Sequence, residues 1–253
     1  MITFATETLM YSLIKILIIP DLKQNSLMKI GILTAMESEH NQIAALLTDK
    51  TTVNDQFTYV VGKLDDKEII LRQCGIGKVN AAVGTAELIR TFHPDYVIST
   101  GVAGGIDSCL NVMDVVVSTK TVHHDFYIGM GCEYGQVQGM PTYFEADQRL
   151  VDAALALNNP TIHTGLICTG DQFISTQDEI DSIKHNFPEG LACDMESVAI
   201  AQTCYIYHVP FVSFRIISDT PGADHHQQQY DNFWIDMADK SFQITQQFLS
   251  LIK

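Results

Sequence analysis

Residues 77–101 read GKVNAAVGTAELIRTFHPDYVISTG, and their reading decides the fold class. Over 77–92 the apolar residues recur at helical spacing, and the pattern stops before Pro94, which cannot continue a helix. DYVISTG (95–101) then runs apolar with no polar alternation, as a strand covered on both faces does. A helix leading straight into a buried strand is the repeating unit of an α/β protein.

The alternation extends both ways from this segment. Upstream, KIGILTA (29–35) reads as a strand and MESEHNQIAALL (36–47) as a helix. QFTYVVGKL (56–64) and EIILRQC (68–74) are strand-like and meet at Asp65-Asp66-Lys67, which predicts a hairpin. Downstream, MDVVVSTKTV (113–122), IHTGLICTG (162–170) and PFVSFRIIS (210–218) read as strands, and RLVDAALAL (149–157) as a helix. Thr176 and Glu179 have capping-box spacing for a helix reaching about His185. Further helices are predicted from Met195 to Tyr207 and from Asn232 onward. Residues 123–146, rich in His, Gly and Tyr, show no period, and loops of that length are usually functional or interfacial. With no internal repeat and no linker, the prediction is a single three-layer α/β/α domain around a central mixed, largely buried sheet.

Bulk properties narrow the function. Length alone leaves one or two domains open, but 253 residues suffice for a substantial core. A net charge of −15 with only 15 Lys and Arg argues against nucleic-acid or anionic-membrane partners and disfavours a highly phosphorylated substrate. The six cysteines, at 74, 109, 132, 168, 193 and 204, form no CxxC pair and no zinc-like spacing, which suits a reduced, cytoplasmic protein. LMYSLIKILIIP (9–20) is too short to span a membrane and has neither a basic n-region nor a small-residue cleavage site. Residues 1–27 therefore read as an upstream extension, or the product of an upstream start site, ahead of a domain at 28–253, because Met28-Lys29-Ile30-Gly31 resembles a natural chain start. An amphipathic segment packing on the body is the alternative.

Two glycine clusters, CGIGKVNAA (74–82) and STGVAGGID (99–107), lie beside strand ends but match neither GxGxxG opening a helix nor GxxxxGK[ST]. They are either tight turns or places where backbone amides approach a ligand. The carboxylates carry more information. Glu37 and Glu39 follow the first strand, Glu196 opens a helix and Asp219 closes a strand. Each has an ordinary reading, as a helix first-turn acid or a turn cap. Together they arrive where α/β proteins place ligands, at strand ends and helix starts. Three converging carboxylates suit the cleavage of a nucleoside: one protonates the departing base, one deprotonates water, and one accepts hydrogen bonds from the ribose hydroxyls. In that reading Asp219 is the acid and Glu196 grips the sugar.

MKIGILTAMESE (28–39), CGIGKVNAA, STGVAGG (99–105), TGDQFIS (169–175), CDMES (193–197) and RIISD (215–219) together resemble the 5′-methylthioadenosine/S-adenosylhomocysteine nucleosidases of the nucleoside phosphorylase superfamily. The resemblance implies a homodimer that hydrolyses the adenine–ribose bond irreversibly, without metal or organic cofactor. It implies that Glu39 activates water and that Asp219 protonates adenine N7, with Ser218 orienting it. Glu196 would hold the ribose hydroxyls, with Met195 packing on the sugar. Phe173 would stack on adenine, and the Ile174 backbone would read its edge. Ile76, Ala103 and Gly104 would line the pocket, with Arg215 near the attacking water or its carboxylates. Val102 stands where the family pattern leads one to expect Ser, and Met130 and Cys132 stand where aromatic residues often occur. Both departures bear on the 5′-substituent rather than on the chemistry.

A phosphorylase of the same superfamily would need cations where this chain has MESE. A related hydrolase acting on a modified futalosine is a second alternative. A non-catalytic nucleoside-binding module is a third, and it would have no need of Glu39 and Asp219 together. The pairs His123-His124 and His225-His226 lack partners at metal-ligand spacing and read as loop or interface residues.

Overall fold

In a computed structural model, residues 27–223, 225–234 and 238–253 are described, so the predicted N-terminal extension lies almost wholly outside the described residues. The first strand, β1 (Met28–Thr34), leads into α1 (Glu37–Leu46). Strands β2 (Thr48–Asn54), β3 (Thr58–Leu64) and β4 (Lys67–Gln73) follow as an antiparallel run that includes the predicted hairpin. Helix α2 (Lys78–Phe92) then feeds β5 (Tyr96–Gly105), as the opening segment requires. His93, in a left-handed conformation, ends the helix one residue before Pro94.

Strand β6 (Val115–His123) enters the long loop, which closes on the two-residue β7 (Phe144–Glu145). Helix α3 (Gln148–Leu155), β8 (Ile162–Thr169) and α4 (Gln177–Asn186) come next, and Thr176 and Glu179 form the predicted capping box at the start of α4. The last elements are β9 (Gly190–Asp194), α5 (Ser197–Tyr207), β10 (Phe211–Asp219), α6 (His226–Asn232) and α7 (Ala238–Leu251).

The sheet is mixed and runs β10-β6-β8-β9-β5-β1-β4-β3-β2, and β10 also pairs with β5. That extra pairing closes β5, β10, β6, β8 and β9 into a ring, from which β1, β4, β3 and β2 extend as an open wing. Ala103, Val116, Ile167, Ala192 and Ile217, one from each ring strand, fill the interior with Leu110. Outside, α1, α3 and α7 cover one face through Ile43, Leu150, Val151, Phe248 and Leu249. Helices α2 and α5 cover the other through Ala81, Leu88, Val198 and Ile200. Both faces of the central strands are therefore buried, which is why their sequences lack polar alternation.

Three predicted boundaries are corrected. The helix predicted from Met195 starts at Ser197, because residues up to Asp194 belong to β9, a strand hidden inside one apolar run. STGVAGG is not a turn: it continues β5 as far as Gly105. The C-terminal helical region starts earlier than predicted, with α6 beginning at His226. Among the described residues no helix is long and apolar enough to cross a membrane.

Candidate active site

Where β1 gives way to α1, the chain reverses through Ala35 and Met36, and their N–H groups both donate to Glu39 Oε2 at 2.9 Å. The Val102 N–H of β5 donates to Oε1 at 3.0 Å. Glu39 is thus fixed between two strands and is 1 % exposed, whereas Glu37 lies in solvent. Burial pushes its pKa up, opposed by the positive field of Arg215 and by the three amide hydrogen bonds. Gly101 makes room for it. With φ at +147° and a Cβ that would fall 2.7 Å from Glu39 Cδ and 2.9 Å from Arg215 Nη1, the position admits no side chain.

The second carboxylate answers why an apolar run carries CDMES. Asp194 ends β9 and forms a 2.8 Å ion pair with Arg215 Nε, both side chains nearly inaccessible. The Thr169 hydroxyl donates to Asp194 Oδ1 at 2.6 Å, and the Ser197 hydroxyl donates to Oδ2. Arg215 Nη2 donates to Ser99 Oγ at 2.8 Å and lies 3.6 Å from Glu196 Oε2. Glu196 occupies the N-cap position of α5 but makes no capping bond. Its Oε1 instead accepts the N–H of Gly77 at 2.9 Å, across the cleft. Gly77, at φ +94°, turns that amide toward the carboxylate, so the CGIGK loop serves a side chain rather than a phosphate. Burial raises the Glu196 pKa to about 7; Arg215 opposes this, while Asp194 adds to it.

The fourth carboxylate, Asp219, closes β10 opposite Gly104 of β5, across a register shift. The Ser218 hydroxyl donates to its Oδ1 at 2.5 Å, and His226 Nε2 lies 2.7 Å from Oδ2. Neither contact is the backbone cap that a strand-end aspartate ordinarily makes. Burial raises the Asp219 pKa, against the lowering effect of both hydrogen-bonding neighbours.

These elements enclose a cleft with about 620 Å³ of empty space, part of it open to solvent. Glu39, Ser218, Asp219, Glu196, Met195, Phe173, Ile174, Ala103, Gly104 and Ile76 all line it. Arg215 does not line it: it lies behind its carboxylate partners Asp194 and Glu196, both of which do. The cleft combines an apolar lining with four acids, Glu39, Asp194, Glu196 and Asp219, gathered at the ends of three strands. Such a site can accept a half-apolar ligand and move protons at two places on it. Among the described residues, its walls carry no Lys or Arg. Among the described residues, no three His, Cys, Asp or Glu side chains are grouped to hold a metal ion.

Sequence reasoning missed Asp194, Tyr230 and His226. Asp194 was legible as a charge in an apolar run, but its partner was not. Tyr230 lines the cleft with its hydroxyl 3.7 Å from Met36 Sδ, and the polar α6 that carries it shows no helical period. His226, read as a loop or interface residue, is buried against Asp219.

A sequence profile of the phosphorylase superfamily matches residues 29–250. A 5′-methylthioadenosine/S-adenosylhomocysteine nucleosidase from Geobacillus sp. is 44% identical over 207 residues, covering 78% of this chain and 88% of the relative. Among solved structures, an S-adenosylhomocysteine nucleosidase from Streptococcus pyogenes, in complex with 5-methylthiotubericidin, superposes with a TM-score of 0.85. It is 37% identical, over 91% of this chain and 99% of that one. A 5′-methylthioadenosine/S-adenosylhomocysteine nucleosidase from Colwellia psychrerythraea, in complex with adenine, gives 0.82 at 36% identity, over 90% of this chain and 97% of that one.

Proposed function

The chain belongs to the 5′-methylthioadenosine/S-adenosylhomocysteine nucleosidases of the phosphorylase superfamily, and from that premise we propose how its cleft works. The enzyme is an N-glycosidase. It hydrolyses 5′-methylthioadenosine and S-adenosylhomocysteine to adenine and the 5′-thio-substituted ribose. Asp219 gives its proton to adenine N7 as the C1′–N9 bond breaks and the bonding electrons leave with the base. Water attacks C1′ of the oxocarbenium-like sugar and passes its proton to Glu39. Glu196 accepts hydrogen bonds from the ribose hydroxyls, and Met195 packs beside the sugar. Phe173 stacks on adenine, whose edge the Ile174 backbone reads, while Ile76, Ala103 and Gly104 complete the walls. Ser218 orients Asp219, and Arg215 acts from behind by holding the charges of Asp194 and Glu196. Each acid or base contribution is worth about 10²–10⁴ in rate.

One observation carries the hydrolytic reading: four buried carboxylates face a cleft whose walls, among the described residues, hold no cation. Phosphate would meet repulsion there, whereas water beside Glu39 finds a base. The upward shift at Asp219 supports its role, because an ordinary aspartic acid titrates near ~3.9 and would hold no proton at neutral pH. The nucleosidase domain is residues 28–253. It works as a homodimer, in the cytoplasm, within methionine salvage. Exposed apolar side chains, Ile76 at the cleft together with Val79, Tyr127 and Met130, support a partner surface. The six free thiols suit a reducing compartment.

Product analysis tests the reading. Methylthioadenosine incubated without phosphate should give adenine and free methylthioribose. Adenine formed only with phosphate, together with a sugar 1-phosphate, would make the enzyme a phosphorylase. No adenine under either condition would leave a binding module.

A further inference from the structure

Two consecutive amides of the CGIGK loop meet carboxylates from different parts of the chain. The Gly77 N–H donates to Glu196, and the next one, the Lys78 N–H, donates to Asp171 Oδ1 at 2.8 Å. Lys78 is the first residue of α2, whose N-cap is a glycine with no side chain to offer and whose first turn holds no acid. Asp171, 93 residues further along, supplies the missing cap. A Cβ on Gly77 would stand only 3.2 Å from its Oδ1.

A second link closes this contact into a ring. Lys78 Nζ lies 2.6 Å from Asp125 Oδ1 and 3.7 Å from Asp171 Oδ2. The Asp171 N–H in turn donates to Asp125 Oδ2 at 2.8 Å. Gly170 runs so close to the end of β6 that a Cβ there would fall 2.4 Å from the His124 ring and 3.0 Å from Asp125 Cγ. Three segments therefore meet at this point: CGIGK, TGDQF and the start of the long loop. All three charged side chains keep contact with water, and ion pairs so exposed add little to stability. What the ring supplies is geometry.

Asp171 does not line the cleft, but Gln172, Phe173 and Ile174, which follow it, do. Beyond them Glu179 Oε2 accepts the N–H groups of Ser175 and Thr176 at 2.8 and 2.9 Å. The segment is thus held at one end by the start of α4 and at the other by the start of α2. Phe173 itself is 48 % exposed and is flanked by the rings of His226 and Tyr230 at 5.6 Å, so much of its placement falls to these backbone anchors.

We propose that Asp171 is a positioning residue: with Lys78 and Asp125 it fixes the adenine-stacking segment to the loop whose Gly77 amide holds the ribose carboxylate. This rests on the assignment above of Phe173 to adenine and Glu196 to the ribose. Adenine and ribose are the two ends of the bond that breaks, so the spacing of the two loops sets how N7 meets Asp219 while C1′ meets water beside Glu39. A misplacement of about 1 Å from a change remote from the chemistry can cost about 10²-fold in rate. Asparagine caps a helix about as well as aspartate, whereas alanine does not. The capping oxygen, rather than the charge, is therefore the part that matters.

The test measures kcat and KM with methylthioadenosine for Asp171→Ala, Asp171→Asn, Phe173→Ala and the double variant Asp171→Ala/Phe173→Ala, with thermal unfolding to confirm that each has folded. Asp171→Ala should lose roughly 10–100-fold in kcat/KM, with kcat reduced as well as KM raised, because the acid no longer meets N7 squarely. Asp171→Asn should stay within about threefold of the wild type. In the Phe173→Ala background the alanine at 171 should cost less than about threefold, since the ring it positions is already gone. A role in stability alone would leave kcat and KM of the folded enzyme unchanged. If Asp171→Ala does not fold, Asp125→Ala replaces it in the same cycle, because it removes the acceptor of both the Asp171 amide and the Lys78 ammonium. Wild-type kcat and KM in Asp171→Ala, an asparagine variant as impaired as the alanine one, or equal costs in both backgrounds overturns the proposal. Wild-type kcat/KM in Phe173→Ala removes the adenine-stacking assignment, and the positioning role with it.

Discussion

Glutamate 196 stores a pH-dependent cost, and Glu196→Gln should release it. The side chain is 6 % exposed, with Oε1 on the Gly77 amide and Oε2 3.6 Å from Arg215. Around one buried guanidinium stand Asp194, Glu196 and, through the field at Glu39, a third acid. Asp194 has the short contact, so Glu196 is the poorly compensated member. Its pKa rises from 4.5 in the free side chain to about 7 in the folded protein. The folded state then binds a proton more tightly than the unfolded chain, so stability falls as pH rises from 4.5 to about 7 and stays reduced above that. The difference corresponds to about 3 kcal/mol at full ionisation.

Glutamine keeps the acceptor for Gly77 and removes the charge. In thermal unfolding at about pH 8, Glu196→Gln should melt roughly 6–12 °C above the wild type, and most of that gain should vanish near pH 5. Asp194→Asn supplies the opposite sign. It takes the 2.8 Å partner from a buried Arg215 and should destabilise by about 3–5 kcal/mol. A Glu196→Gln protein no more stable than the wild type at pH 8, or one whose gain ignores pH, would refute the account of the charge cluster. The gain should come with loss of turnover, because the same carboxylate is the proposed ribose grip, and a stored cost of this kind is typical of functional sites.

Two further outcomes test the geometry around Glu39. Gly101→Ala puts a methyl group against Glu39 Cδ and Arg215 Nη1 at a backbone angle that alanine rarely adopts, so kcat should fall by about 10²-fold as the base is displaced. Initial rates near those of the wild type would show that Glu39 tolerates the shift. Because burial raises the Glu39 pKa and the base works only when ionised, kcat/KM should decline on acidification at a pH above the ordinary carboxylate range of about 4. In Glu39→Gln turnover should fall by about 10²–10⁴-fold throughout. An acid limb still lying near pH 4 would mean that burial does not control this group.

What the sequence revealed about the fold follows how each element is stabilised. Helix α2 and strands β1, β5, β6, β8 and β10 bury apolar side chains, so their periodicity or continuous apolar runs made them readable. The elements that escaped have no such pattern. Strand β2, TDKTTVN, is an almost fully exposed edge held by pairing with β3. Strand β9 is five residues merged with an apolar helix, and α6, HQQQYDN, is polar throughout.

The site divides along the same line. Residues within contiguous motifs, such as Glu39, Glu196 and Asp219, were legible because each string carries its own local geometry. The contacts that set their proton affinities were not, because they join distant strands: Arg215 to Asp194 and Glu196, Gly77 to Glu196, and Val102 to Glu39. Position along the chain identified the candidate acids, but closure of the ring decides which of them is paired. That pairing leaves Asp194 beside its cation and leaves Glu196 and Glu39, held chiefly by amides, with proton affinities raised by burial.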